Sequence, residues 1–137
     1  MSTELLQLLW LASPALPVGA FSYSEGLEAA VDAGEVFDEA SSARWLLNQL
    51  ELVQARAELP LMAQAWQASA AGDAVGLQRC NEWVLQTRES AELLAQSQQM
   101  GRSLLAWAQG QGIDCTLLQA LQPPSWPVVF AVVGQQR

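Results

Sequence analysis

Three acidic residues near the N-terminus have the spacing that acid–base catalysis or metal binding would require. Glu25, Glu28 and Asp32 lie three and four positions apart, so a helix would carry their carboxylates on one face. Paired carboxylates can act as general acid and base or bind a divalent cation. A solvated helix face produces the same pattern and is far more common. A carboxylate metalloenzyme is therefore a minor hypothesis, which stoichiometric bound metal would support.

Other reactive groups are scarce. The chain contains neither His nor Lys, so it lacks the commonest general base, a P-loop lysine and a Schiff-base amine. Ser22 and Ser24 therefore have no histidine to activate them. Cys80 and Cys115 are too far apart in sequence to form a metal-binding pair, and we expect both to be buried thiols. The chain is predicted to be a non-enzyme with no cofactor and no metal ligands.

Composition narrows the class of partner. The chain has 137 residues, about half of them apolar, and a net charge of −8. An acidic chain is poorly suited to nucleic acid or an anionic membrane, so a basic partner protein fits better. No apolar run is long enough to span a membrane, and no basic segment precedes one as in a secretory signal. We expect a single cytoplasmic domain over residues 1–137.

Helical periodicity runs through most of the sequence and predicts an all-α single-domain bundle of about six to eight helices. Thr3 would cap the first helix, and Ser22 with Glu25 has the spacing of a capping box for the second. The remaining signals predict a helix over residues 39–59 capped by Asp38 and another over residues 61–70. Asp73 would cap the next helical stretch, which has a candidate break at Thr87–Ser90 and ends at Gly110, and Asp114 would cap a further short helix. Pro127 suits the first turn of another helix, but the apolar run of residues 128–133 cannot be assigned by periodicity.

Apolar stripes predict which helices are central. The stripe of the first helix is widened by Leu6 and Trp10, which predicts burial on more than one side. The helix over residues 39–59 carries two stripes, which predicts a central position in the bundle. Gly26 inside the second helix predicts close approach of a neighbouring backbone.

The loop between the first two helices is unusually apolar. It contains Leu16, Val18, Phe21 and Tyr23, held between Pro14, Pro17 and Gly19. Loops normally lie on the surface, so this one is either packed into the core or exposed to a partner.

A recurring spacing in the sequence supports an alternative function. Trp66 and Trp107 are separated by the same number of residues as Asp73 and Asp114, a period within the range of helical repeats. Two copies also arise by chance or from ordinary helix ends. The alternative is a generic helical-repeat adaptor, which predicts superposable helix pairs around the two tryptophans.

The segment from Leu11 to Glu28 resembles the N-terminal signature of the urease accessory protein F family. Further similarities follow along the chain, at Glu58–Pro60, Gly72–Asp73, Asn81, Thr87–Glu89 and Met100–Gly101. The resemblance implies an all-α, non-catalytic chaperone of urease maturation, commonly a homodimer. Such a protein joins a scaffold protein and recruits or regulates an accessory GTPase that delivers nickel to the urease apoprotein. The motif residues that could bind partners are Pro17, Gly19, Phe21, Tyr23, Glu25, Gly26 and Glu28.

The resemblance implies that family members continue with further helices beyond the point where this sequence stops. We therefore expect this chain to lack the family's C-terminal helices, to expose apolar surface and to self-associate or aggregate. A monodisperse monomer in analytical ultracentrifugation would contradict that expectation.

The apolar loop yields the first testable prediction. If Phe21 and Tyr23 contact the partners, Phe21→Ala or Tyr23→Ala will abolish co-purification with the scaffold protein and the GTPase. Unchanged complex formation would remove the loop from the interface and leave the family resemblance intact.

Overall fold

The computed structural model describes residues 2–20 and 26–136 and contains no strand within them. The all-α prediction is therefore confirmed, with a helix count in the predicted range. The helices are α1 (Thr3–Leu11), α2 (Leu27–Asp32), α3 (Glu39–Asn48), a π-helical segment (Gln49–Glu58), α4 (Leu59–Ala70), α5 (Ala74–Thr87), α6 (Ala91–Gly110), a 3₁₀ turn (Thr116–Leu118) and α7 (Trp126–Gln135).

Helix α7 is the centre of the bundle. It packs against α4, α5 and α6, and its four valines are fully buried. A helix that is apolar on every side is stable in water only when other helices surround it. The apolar run that periodicity could not assign is therefore a buried helix, and Pro127 occupies its first turn as predicted.

Close backbone contact and three hydrogen bonds hold the segment that leads into α7. A Cβ atom on Gly101 of α6 would lie 2.4 Å from the carbonyl oxygen of Pro124, so only glycine fits there. The side chain of Asn81 donates to the carbonyl of Pro123 at 2.9 Å and accepts from the amide of Ser125 at 2.8 Å. The amide of Trp126 donates to Ser97 Oγ at 3.3 Å. These contacts satisfy backbone groups that the entry of a helix into a core would otherwise leave unpaired.

The other end of α7 lies against α4. A Cβ atom on Gly134 would approach the Trp66 ring to 3.2 Å, and Ser69 Oγ donates to Gln135 Oε1 at 3.3 Å. The side-chain amide of Gln136 donates to the carbonyl of Asp114 at 2.7 Å. Helix α7 is thus tied to its neighbours at both ends.

Helix ends follow the sequence signals closely. Asp73 accepts from the amide of Gly76 at 2.9 Å, and Asp114 accepts from the amide of Thr116 at 2.9 Å. Gly72 has a φ of 66°, and the hydrogen bonds around it form a Schellman motif. At Asp38, hydrogen bonds from Ser41 lower the pKa of the capping carboxyl. The predicted caps at these three acidic residues are confirmed.

The predicted central helix over residues 39–59 is wrong. That stretch forms α3 and the π-helical segment, here called the arm, and within it only Ser41 is buried. The amide of Leu59 donates to the carbonyl of Gln54, the five-residue pattern of a π-helix. Pro60 lies in the first turn of α4, and the backbone stays helical through that position. Both apolar stripes therefore stay largely exposed, because no other element of the described chain buries the arm.

The predicted burial of the first helix is also wrong. Leu11 is its only buried residue, whereas Leu9 and Trp10 are 53% and 55% exposed. Ser2, and not Thr3, caps α1 by accepting from the amide of Leu5. An amphipathic stripe identifies a helix face that apolar contact would stabilise, but it does not identify the element that makes the contact.

The structure contradicts the helical repeat. Asp73 begins a helix of 14 residues, whereas Asp114 begins a 3₁₀ turn of 3 residues. The helix pairs around Trp66 and Trp107 are therefore not equivalent, and the recurring spacing reflects similar helix ends. No helix among the described residues is long and apolar enough to cross a membrane.

Two glycines of α6 test the backbone contact at the start of α7. Gly101→Ala is expected to destabilise the fold by about 2 kcal/mol or more, because the new methyl group displaces the Pro124 backbone. Gly110→Ala, where a Cβ atom meets nothing within 4 Å, is expected to be neutral or to stabilise by up to about 1 kcal/mol. Urea denaturation followed by circular dichroism measures both. Equal stability of the two variants would contradict the assigned contact.

Candidate partner-binding surface

The structure describes two of the three carboxylates that could do chemistry. Glu28 and Asp32 are both exposed on α2, and Glu25 lies outside the described residues. Within residues 2–20 and 26–136, no group of three or more Asp, Glu, Cys or His side chains is placed to hold a metal ion.

The two cysteines are buried free thiols, as expected. Burial raises the pKa of the Cys80 thiol, and nearby Asp73 raises it further. Burial also raises the pKa of Cys115, with a smaller contribution from Asp114. Nucleophilic cysteines need the opposite shift, so both thiols are packing residues.

The described part of the apolar loop belongs to the core. Leu16 and Val18 are buried within the same cluster as α7, and the amide of Leu16 donates to the carbonyl of Ser13. Pro17 lies between them and Gly19 follows Val18; both are exposed, and Gly19 has a φ of 77°. Phe21, Ser22, Tyr23 and Glu25 lie outside the described residues, so their proposed role in partner contact stays a prediction.

Gly26 has a different role from the predicted one. It is the N-cap of α2, not an interior residue, with a φ of 89°. A Cβ atom at this position would meet nothing within 4 Å, so the predicted close backbone approach is wrong. Glycine is favoured because the left-handed conformation suits it. Glu28 lies in the first turn of α2, where a carboxylate complements the helix dipole.

The first candidate binding site is an open groove of about 570 Å³ between α1, α4 and α7, here called the α1–α4 groove. Leu8, Met62 and Phe130 contribute apolar walls, and Ala63 and Trp66 lie along α4. Trp66 is 43% exposed although it contacts Gly134. A groove of this shape and polarity suits an apolar helix or side-chain cluster of a partner.

The second candidate site is a groove of about 510 Å³ beneath the C-terminal half of the arm. Its walls include Val53 of the arm, Trp83 of α5 and Met100 of α6. An ion pair of 2.5 Å between Arg88 and Glu58 crosses it and ties the arm to the end of α5. Both side chains are largely shielded from solvent, and Arg88 Nε has no hydrogen-bond partner among the described residues.

Motif residues line both grooves: Leu11 and Leu59 belong to the α1–α4 groove, and Glu58, Thr87–Glu89 and Met100 belong to the second groove. Asn81 and Gly101 hold the start of α7, and Gly72 and Asp73 join α4 to α5. These four motif residues are structural. Most other residues of the α1–α4 groove are common apolar types of amphipathic helices, and only their exposure distinguishes them. No sequence signal separates an uncovered apolar stripe from a covered one.

Known proteins resemble this chain along nearly its whole length. It is 58% identical to the urease accessory protein UreF of Methylibium petroleiphilum over 97% of this chain and 58% of that protein. It is 51% identical to the UreF of Paracidovorax citrulli over 97% of this chain and 55% of that protein. A bifunctional urease accessory protein UreEF of Bordetella bronchiseptica is 47% identical over 93% of this chain and 30% of its own length.

The chain spans a little over half the length of the first two relatives. Residues 36–137 match the family model described as UreF. This range includes the arm, the glycine that approaches Pro124, and the central helix. The chain therefore belongs to the UreF family of urease accessory proteins.

Proposed function

We propose that this chain is a non-catalytic chaperone of urease maturation in the cytoplasm. It joins an accessory scaffold protein and recruits or regulates the GTPase that delivers nickel to the urease apoprotein. The observation that carries the proposal is 58% identity to a urease accessory protein over 97% of this chain. A role in urease maturation follows from the family, and the particular partners are the proposed part.

The surface supports binding of protein over binding of other ligands. Apolar side chains line the α1–α4 groove, and large apolar residues are exposed on α1 and along the arm. A contiguous apolar surface on a charged protein usually marks a protein interface. The net charge of −8 favours a partner with a basic rim.

The fused relative supports cooperation with another accessory protein. In Bordetella bronchiseptica a protein named as a bifunctional urease accessory protein, UreEF, contains a region similar to this chain. Fusion raises the effective concentration of two modules for one another. We infer that the present chain also acts alongside a second accessory protein.

The proposal includes two further parts. Residues 1–137 form one helical domain to which the additional length of the relatives adds helices, consistent with coverage of about 58% of the first relative. The chain also forms a homodimer within the complex with its partners. Exposed leucines on α1 and the arm support both parts, because each requires uncovered apolar surface.

Urease complementation tests the function. The chain is expressed in a urease-positive host from which the host's own UreF gene has been deleted. Urease activity and nickel bound per urease are then measured. Recovery of both above the empty-vector control supports the proposal, with the full-length Methylibium relative as the positive control. Recovery with that relative but not with this chain would overturn the proposal for this chain.

Two exposed alanines in helix interiors test the α1–α4 groove. Ala63→Arg places a charged side chain in the groove, so capture of the scaffold protein and the GTPase is expected to weaken at least about tenfold. Ala106→Arg lies on α6 outside both grooves, and its capture is expected to be unchanged. Affinity capture with purified partners measures both variants, and circular dichroism checks their folding. Equal capture by the two variants would exclude the groove.

A further inference from the structure

The α1–α4 groove combines small and large apolar residues. Its large side chains include Leu8 and Trp66, which are 42% and 43% exposed. Small residues beside them leave room for the side chains of another element: Ala63, Ala131 and Gly134. No charged side chain of residues 2–20 and 26–136 lines the groove. The groove therefore suits a helix with a neutral, apolar face.

The two longer helices that border this groove, α4 and α7, run in the same direction. Leu59 at the start of α4 and Trp126 at the start of α7 both line the second groove. At the opposite ends, a Cβ atom on Gly134 would approach the Trp66 ring to 3.2 Å, and Ser69 donates to Gln135. Helix α7 therefore ends beside the end of α4, at one end of the α1–α4 groove.

This parallel arrangement determines where a helix that follows α7 can pack. A short connection between two helices makes them antiparallel neighbours, so such a helix would return along α4 and α7. Other sides of α7 are covered by α5 and α6, whereas the α1–α4 groove is open. The groove follows α4 from Leu59 to Gln67, a distance of about 12 Å, which matches roughly two turns of helix.

The relatives contain enough additional chain to supply this helix. The matched region of 138 residues is 58% of the Methylibium relative, which leaves about 100 residues of that protein outside it. The family resemblance implies that these residues follow the position of α7. An average helix has about 12 residues, so this length is sufficient for several helices.

We propose that the α1–α4 groove is the docking site of the helix that follows α7 in the longer family members. This helix returns antiparallel to α7 and places large apolar side chains, spaced three and four residues apart, against Ala63, Ala131 and Gly134. The inference rests on the part of the proposed function in which the additional length of the relatives adds helices, and it names the surface that receives the first of them.

A helix of the same chain fits this groove better than a helix of a separate protein. Attachment next to Gln135 gives the following segment a high effective concentration at the groove, about millimolar for a short flexible connection. A separate protein has no such advantage. The groove also lacks charged side chains among its described lining residues, whereas a separate acidic or basic partner is usually selected by charges around the contact.

Thiol labelling tests whether the groove becomes covered. A hybrid chain joins residues 1–137 to the residues of the Methylibium relative that follow its matched region. Ala63→Cys is expected to react with a maleimide at least about tenfold more slowly in the hybrid than in residues 1–137 alone. Ala106→Cys, exposed on α6 outside both grooves, is the control and is expected to react equally in both. Mass spectrometry separates these sites from the buried Cys80 and Cys115.

Thermal unfolding provides a second readout of the same contact. Ala63→Arg is expected to leave the midpoint of residues 1–137 nearly unchanged, because Ala63 is exposed there. In the hybrid the same change is expected to lower the midpoint by about 3 °C or more, since the charged side chain displaces the docked helix. Ala106→Arg is expected to have no effect in either chain.

The full-length Methylibium relative decides the result if circular dichroism shows that the hybrid does not fold. Cysteine is then placed at the residue of the relative aligned with Ala63 and is expected to be protected. A thiol that reacts freely in the folded hybrid or in the relative overturns the inference.

The outcomes separate this inference from the proposed function. Protection of Ala63→Cys in the hybrid without any partner supports the docked helix. Protection that requires added scaffold protein or GTPase assigns the groove to a partner and overturns the inference, while the proposed function is retained. Failure of urease complementation by this chain, with the thiol protected in the hybrid, overturns the proposed function alone.

Discussion

The backbone contact between Gly101 and Pro124 is the constraint on which the bundle depends. Helix α7 can be central only if the segment that enters it passes directly over α6, and a side chain at position 101 would block that path. The same passage takes backbone groups out of water, where each unpaired group costs about 1–3 kcal/mol. Asn81 and Ser97 supply the missing hydrogen bonds. One glycine and two polar side chains thus permit a fully apolar helix to occupy the core.

The bundle contains two kinds of apolar helix with different consequences. Helix α7 is surrounded by α4, α5 and α6, and each fully buried valine contributes on the order of 1.5 kcal/mol or more. Helix α1 and the arm are rich in leucine, yet most of their apolar side chains remain in contact with water. The first kind stabilises the chain itself. The second kind stays exposed, and under the proposed function it supplies the surface for partners.

Three of the motif residues lie apart from both candidate binding grooves. Asn81, Gly101 and Asp73 work inside the fold or at its helix ends. The α1–α4 groove and the arm consist of residues with no distinctive type or spacing. Family resemblance therefore identified the protein through its scaffold. The candidate binding surface is apolar area that the rest of the fold leaves exposed, and only the structure identified it.

The sequence alone was sufficient for the helical class and for most helix ends. These properties are local: caps at Asp38, Asp73 and Asp114 act within a few residues of themselves. The tertiary structure alone decided which apolar stripes are buried. Periodicity predicted a central helix over residues 39–59, but the core is α7, because an amphipathic pattern records a preference for apolar contact and not the neighbour that satisfies it. Burial depends on contacts between residues distant in sequence. Here the close passage of the segment before α7 over Gly101 determined those contacts.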